Sequence, residues 1–338
     1  MTKTQPNPAY GAVRVLAVAA VRVLAVAAAS QLCSKATSTV AAFFLLAMPS
    51  FSPSALIKLL RPHQWLKNGF VFAGLLFSQL WSDAVFIERV LVAFAAFCCV
   101  SSLVYLFNDW HDRKHDALHP TKRHRPFANG TVSAPAGLAL AAVLLAAALW
   151  LALGNRVLLA LLFIYVMLNL AYSLRLKQVP VVDVFIIAAG FMLRLLAGTV
   201  AVGIAPSHWL LLTGMFIALF LGFAKRKAES FHAPASQREV LLHYTPALLD
   251  TFIAMTMTAT LITYCLFAIS PESQSRHGER LIYTAPLVIF GMLRYTYQVH
   301  RGRGEDVARE LLRDPWIVLA GVCWVSFFML SRFWDQLL

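Results

Sequence analysis

From Phe51 onward, apolar residues gather in stretches of about twenty separated by short polar loops, and within the stretches nothing alternates with the period of two that marks a strand. Nine such stretches stand out, at 66–82, 90–107, 135–153, 156–174, 180–202, 207–224, 247–269, 281–297 and 315–334. At a rise of about 1.5 Å per residue, each is long enough as a helix to cross roughly 30 Å of hydrocarbon with some tilt. Open strands would leave backbone groups unpaired in lipid, and a barrel would show alternation, so helix is the consistent assignment. The pattern predicts an all-α polytopic membrane protein, a bundle of nine transmembrane helices.

Composition sharpens this reading. Apolar residues make up 59% of the 338 positions and charged residues 13%, about half the share in a soluble domain, which excludes an ordinary soluble enzyme or two soluble domains. The net charge of +13 lies in the loops. No basic stripe sits on a soluble module, so nucleic acid is not an expected partner. Eighteen Lys and Arg precede the first stretch or follow the second, fourth, sixth and eighth, against five on the other side. By the positive-inside rule the richer side, with the N-terminus, is cytoplasmic, in the inner membrane of the cell, and the C-terminus lies outside. The five cysteines are scattered, mostly within apolar runs, without metal-ligand or disulfide spacing. Residues 1–50 read as an extension in which VRVLAVAA occurs twice between Val13 and Ala28, interrupted by Arg14 and Arg22. A signal peptide would carry one unbroken apolar core, and Met48 is an alternative start. Residues 51–338 form the expected membrane domain.

The segment joining the second and third stretches, NDWHDRKHDALHPTKRHRPFANG from Asn108 to Gly130, carries the densest chemistry. If the second helix continues past Asp116, Asn108, Asp112 and Asp116 fall at i, i+4 and i+8, with Asp109 at the edge of that face. Several carboxylates on one stripe repel unless cations lie among them, and hard oxygen donors of this kind suit Mg²⁺, whose usual companion is a diphosphate. The competing reading is a solvated loop in which the acids pair with His111, Arg113, Lys114 and His115.

This segment resembles the first aspartate-rich motif, NDxxDxxxD, of the UbiA superfamily of intramembrane prenyltransferases, with Asn108, Asp109, Asp112 and Asp116 in the motif positions. RPHQWLKN, from Arg61 to Asn68, is similar to the superfamily's entry into its first helix. Within the superfamily, three further segments resemble the branch of decaprenyl-phosphate phosphoribosyltransferases that begin arabinan-precursor synthesis for the cell wall. HPTKRHRPFANG supplies Lys122, Arg123 and Arg125; YSLRLKQVPVVD supplies Tyr172, Lys177 and Asp183; and AKRKAE supplies Lys225, Arg226 and Glu229. Aromatic prenyltransferases of the superfamily usually carry a second DxxxD at this last position, and the chain has none.

The resemblance implies Mg²⁺-dependent transfer of 5-phosphoribose from phosphoribosyl diphosphate to a polyprenyl phosphate. It makes Asp109, Asp112 and Asp116 catalytic and, with Asn108, metal-holding. Three anionic groups then need fixed donors: the diphosphate, the ribose 5-phosphate and the lipid phosphate. Arginine forks and lysine point charges at Lys67, Lys122, Arg123, Arg125, Lys177, Lys225 and Arg226 fit that need. Asn68, Tyr172, Asp183 and Glu229 join the expected substrate-binding set, together with Arg194, about 20 Å deep in the fifth stretch, which either faces a cavity or snorkels outward. Asp183 has helix N-terminal charge pairing as its plainer alternative. His243 and Tyr244 are candidates for phosphate contact or for the interface, His208 and Trp209 are read as outer-interface anchors, and Arg294 is given no role. The alternatives are transfer of a prenyl chain to an aromatic acceptor such as 4-hydroxybenzoate and, more distantly, a transporter. A homo-oligomer is allowed for.

Overall fold

The computed structural model describes residues 53–78, 80, 82–118, 122–232, 239–304 and 307–337. The expected extension at 1–50, with its repeat and Met48, lies outside the described residues. The helices below belong to the unit Leu56–Leu338. Every regular element among the described residues is helical.

The chain enters through a 3-10 helix, Pro62–Phe72, which continues as α1, Ala73–Ser78. Then follow α2 (Ala84–His111), a short α3 (Arg113–Leu118), α4 (Ala134–Leu151), α5 (Arg156–Leu174), α6 (Val182–Ala197), α7 (His208–His232) and α8 (Pro246–Ile269). A short α9 (Pro271–His277) leads to α10 (Ala285–His300), α11 (Val307–Arg313) and α12 (Pro315–Leu337). Among the described residues, six helices are long and apolar enough to cross a membrane: α2, α4, α5, α6 with its 3-10 tail to Val202, α7 and α8. The other three expected spans are built differently. The first begins as 3-10 turns rather than one α-helix, α10 is sixteen residues long, and the apolar part of α12 is Pro315–Leu330.

Short connections between the long helices make sequence neighbours antiparallel. Their starts are capped by side chains: Asp83 accepts from the N–H groups of Val85 and Phe86, Asn155 from Leu158 and Thr245 from Leu248. The apolar core forms two main clusters that meet on α6. One packs Phe97, Val100 and Val104 of α2 and Leu158, Leu162 and Tyr165 of α5 around Leu193 and Ala197. The other packs Phe220 and Phe223 of α7, Leu249 and Ile253 of α8 and Met292 and Tyr295 of α10 around Val184 and Ala188. In the most apolar window of each helix, α2 and α6 are 56% buried, but α4 and α5 only 22% and 28%, so α2 and α6 are central and α4 and α5 turn most of their surface outward. The outward residues, among them Leu138, Trp150, Phe163 and Leu153, form an apolar exterior that water would not tolerate and lipid would.

The entry segment is seated by glycine. A Cβ built on Gly198 would lie 1.7 Å from the Val71 carbonyl oxygen, and one on Gly74 would lie 2.1 Å from the Gly198 carbonyl oxygen. Backbone therefore meets backbone here, which is how a tightly wound 3-10 segment gains a fixed seat against α6.

A candidate active site at the loop-rich end

α2 has 28 residues, about 42 Å of helix, so its last two turns extend beyond a hydrocarbon layer of roughly 30 Å. Those turns carry the acidic motif. The helix breaks at Asp112 (φ −84°, ψ 1°), yet the N–H of Asp112 donates to the Asn108 carbonyl at 2.9 Å and that of Asp116 to the Asp112 carbonyl at 2.9 Å. The chain thus keeps nearly helical register into α3, with a kink where an unbroken helix was expected.

The face shared across that kink also differs from the expected one. Asp109 and Asp116 are seven residues apart, which on a helix brings them within about 20° of each other. Both are buried, with 2% and 4% of their surface exposed. The Arg125 guanidinium joins them, its Nη1 donating to Asp109 Oδ1 at 3.0 Å and to Asp116 Oδ2 at 2.8 Å. Arg61 Nη2 donates to the same Asp109 oxygen at 2.5 Å. Asp112 stands aside, half-exposed and paired with His111 at 3.0 Å. The Asn108 side-chain oxygen is buried with no hydrogen-bond partner.

Local sequence explains why the arginines reach this point. Phe127 is buried and its ring lies where Gly137 of α4 has no Cβ, since one built there would be 2.4 Å from the ring. That contact and the Arg125-to-Lys122 and Asn129-to-Arg125 backbone bonds pin the loop carrying Arg125. Arg61 starts the 3-10 segment in the left-handed region (φ 50°, ψ 58°), a conformation that costs a non-glycine residue on the order of 1 kcal/mol and that functional sites tend to retain. Its guanidinium lies 5.0 Å from the Tyr105 ring centroid, one turn before Asp109 on α2. The Tyr105 hydroxyl donates to Gln64 Oε1 at 3.3 Å, and Lys67 Nζ donates to the same oxygen at 2.5 Å. Lys67 is therefore linked to the carboxylates through Gln64, Tyr105 and Arg61. Lys122 and Arg123 are exposed on the 3-10 turn Lys122–His124 beside Arg125.

A second polar cluster lies at the same end of the bundle, where α5 ends and α6 begins. Arg226 of α7 is fully buried and donates to Asp183 Oδ2 at 2.7 Å, to Glu229 Oε2 at 2.5 Å and to the Tyr172 hydroxyl at 3.2 Å. Lys225 stands 3.7 Å from Glu229. The Tyr244 hydroxyl donates to Asp183 Oδ1 at 2.7 Å and accepts the Val181 N–H at 2.5 Å. Burial, and then the carboxylate beside it, push the Tyr244 hydroxyl's pKa upward, so it stays a donor. Val181 has φ 68°, a genuine outlier for a β-branched residue, and the Tyr244 bond helps hold it. Lys177 occupies the 3-10 turn Leu176–Gln178 on the approach to this cluster.

The structure redistributes the expected roles. Asp183, Tyr172 and Glu229 all bond Arg226, and Asp183 also takes the Tyr244 hydroxyl, so the four expected substrate-binding residues form a brace between α5, α6 and α7. Arg194 does not snorkel outward. It is buried and donates to Asn68 Oδ1 at 2.7 Å, the Gly190 carbonyl at 2.7 Å and the Tyr165 hydroxyl at 2.8 Å, while Asn68 also donates to Ser101 at 3.2 Å. A desolvated guanidinium needs such acceptors, so Arg194 and Asn68 fasten the entry segment inside the bundle. Sequence reading missed Arg61, Gln64 and Tyr105; the signal was present in RPHQ beside the assigned lysine and in a tyrosine four residues before Asp109. Tyr244 is buried rather than interfacial.

Among the described residues no three His, Cys, Asp or Glu side chains converge as a ready cation site. The donor set nevertheless fits a hard divalent cation: two buried carboxylates, the nearby Asp112 carboxylate and an unpartnered buried amide oxygen on Asn108. A small, partly open pocket lined by Gly74, Phe77, Ser207, Ser273, Arg276 and His277, among others, lies at the opposite end and has no part in this arrangement.

Comparison with known proteins agrees with the geometry. The chain is 36% identical over 289 residues to a decaprenyl-phosphate phosphoribosyltransferase of Corynebacterium glutamicum, covering 82% of this chain and 86% of that protein. It is 32% identical to the protein of the same name from Mycolicibacterium smegmatis, covering 83% and 94%. In fold it is similar to a UbiA homologue from Archaeoglobus fulgidus solved with GPP and Mg²⁺, at a TM-score of 0.62 and 18% identity, covering 82% of this chain and 99% of that one. Residues 69–331 match the model of the UbiA prenyltransferase family, and the chain belongs to that family.

Proposed function

We propose that the chain is an integral-membrane phosphoribosyltransferase that moves 5-phosphoribose from phosphoribosyl diphosphate to a polyprenyl phosphate of the decaprenyl class and releases diphosphate. The observation that carries the reading is the pairing of one acidic ladder with arginines and lysines at the same helix ends, where a second acidic motif would suit an aromatic prenyltransferase. The names of the relatives at 32% and 36% identity support it.

The reaction is displacement at the anomeric carbon. An oxygen of the lipid phosphate forms the new bond to C1 as the bond from C1 to the diphosphate oxygen breaks, and the electron pair leaves with the diphosphate. A phosphate monoester is largely ionised near neutral pH, so neither a protein nucleophile nor a general base is required, and positioning supplies much of the acceleration. Asn108, Asp109, Asp112 and Asp116 would hold Mg²⁺, which when bound neutralises charge on the departing diphosphate. Lys67, Lys122, Arg123 and Arg125 flank that position and supply charge-assisted hydrogen bonds to phosphate oxygens, with Lys177 and Lys225 doing so from the second cluster. Asp183, Arg226, Glu229 and Tyr172 keep α5, α6 and α7 in register beneath them.

We further propose that all nine apolar stretches are membrane-embedded in the inner membrane, with the N-terminus and this site cytoplasmic, and that 51–338 is the catalytic domain behind an N-terminal extension. The test is incubation of membranes containing the protein with radiolabelled phosphoribosyl diphosphate and decaprenyl phosphate. A labelled lipid that disappears when EDTA is added is the expected result. No labelled lipid, with transfer of a prenyl group to 4-hydroxybenzoate instead, would overturn the reading in favour of aromatic prenyl transfer.

A further inference from the structure

We infer that Arg61 and Arg125 are resident counter-cations of the aspartate ladder that change partners during the cycle, leaving Asp109 and Asp116 to a divalent cation and turning to the phosphates of the incoming donor. This rests on the phosphoribosyl-transfer reading above.

Charge and geometry lead to the exchange. Asp109 and Asp116 carry two negative charges, and the two arginines bonded to them carry two positive ones. Both guanidiniums converge on Asp109 Oδ1, and Arg125 also takes Asp116 Oδ2, so a cation that used those oxygens would have to displace them. A divalent ion replaces their charge without leaving the buried carboxylates uncompensated. The displaced pair then matches an anionic donor, for which the guanidinium fork is suited.

The positions of these two arginines allow the move. Their side chains are 18% and 29% exposed, and both sit outside the long helices, at the start of a 3-10 segment and in a loop. Arg226 shows the contrast: it is fully buried on α7, fixed by two carboxylates and a phenol, and has no such freedom. Because arginine and metal compete for the same oxygens, the arginines weaken metal binding until an anion draws them away, which couples metal to donor.

The experiment measures Mn²⁺ binding to the purified full-length chain in detergent by the loss of the free-ion EPR signal, with no phosphorylated compound present. Arg125→Gln and Arg61→Gln should each bind Mn²⁺ more tightly than wild type, by about tenfold or more given one opposing charge removed at contact distance. Arg125→Lys, which keeps the charge, should remain near wild type, and Asp112→Ala should lose binding. In the lipid assay the two glutamine variants should show a raised KM for phosphoribosyl diphosphate and an unchanged KM for decaprenyl phosphate. Mn²⁺ affinity that is unchanged or weaker in both glutamine variants, or a donor KM that does not move, overturns the exchange. Absence of Mn²⁺ binding in every form overturns both the exchange and the metal assignment. Tightened Mn²⁺ binding in the variants, with no lipid product from the wild type, would sink the phosphoribosyl reaction while leaving the arginine competition for metal intact.

Discussion

At the scale of single residues, the acidic ladder divides labour in a way that makes it testable. Asp109 and Asp116 hold arginines in the resting structure, so removing either disturbs packing as well as chemistry. The Asp112 carboxylate pairs with the exposed His111 and is 38% exposed, so Asp112→Ala should leave expression and thermal stability unchanged while abolishing Mg²⁺-dependent turnover. Near-normal rates would remove Asp112 from the metal set. Arg226 predicts the opposite phenotype. Arg226→Met leaves the fully buried Asp183 without its cation, a defect of about 3–5 kcal/mol, so the variant should show a sharply lower melting temperature in detergent. A variant as stable as wild type would show that the brace is not holding α6 to α7. Sequence spacing made the four motif residues legible, because a helical stripe is a local property. It did not reveal that Asp109 and Asp116, rather than Asp112 and Asp116, would share a bridge, because that depends on a kink and on an arginine from a loop.

At the scale of elements, apolar runs identified the helices well and their internal form poorly. The first expected span shows why: 3-10 and α turns have similar hydropathy, and the choice between them here follows from backbone contact at Val71, Gly74 and Gly198, which no pattern along the chain encodes. Gly198→Ala should therefore displace the entry segment, and with it Arg61 and Lys67, lowering both stability and activity. Gly291→Ala, with open space around the position, should do neither and serves as the control. The short α9 offers a pH signature. His277 is buried against Phe77, Phe267 and Phe328, and burial lowers its pKa from 6.5 to about 4. Between those values the unfolded chain binds a proton that the folded chain refuses. Stability is thus complete above about pH 6.5 and falls by up to about 1.4 kcal/mol per pH unit as pH drops towards 4. Melting curves of wild type and His277→Gln over this range should diverge, the variant being the flatter; parallel curves would show that the imidazole is protonated in the fold.

At the scale of the whole molecule, the loops sort by chemistry as well as by charge. The ends of α2, α5, α7 and α10 and the starts of α4, α6, α8 and α12 face one side in an alternating bundle, and this side holds both polar clusters along with Lys227 bonded to Asp250 and Arg294 bonded to Asp314. The opposite side holds Asn155, the Val200–Val202 turn and α9, whose Arg276 pairs with Glu272 in an exposed bridge. Under the proposed reaction the site takes a water-soluble donor, phosphoribosyl diphosphate, and a donor made in the cytoplasm predicts that the cationic side faces the cytoplasm. The positive-inside rule predicts the same proposed orientation on separate grounds. In a background without native thiols, a cysteine at Lys122 should react with a membrane-impermeant maleimide in inverted vesicles and be protected in intact cells, while one at Glu279 should behave in the reverse manner. Labelling of both from the same side would break the alternation of the bundle, and exchange of the two patterns would place the phosphate site where its donor is absent and so refute the reaction together with the topology.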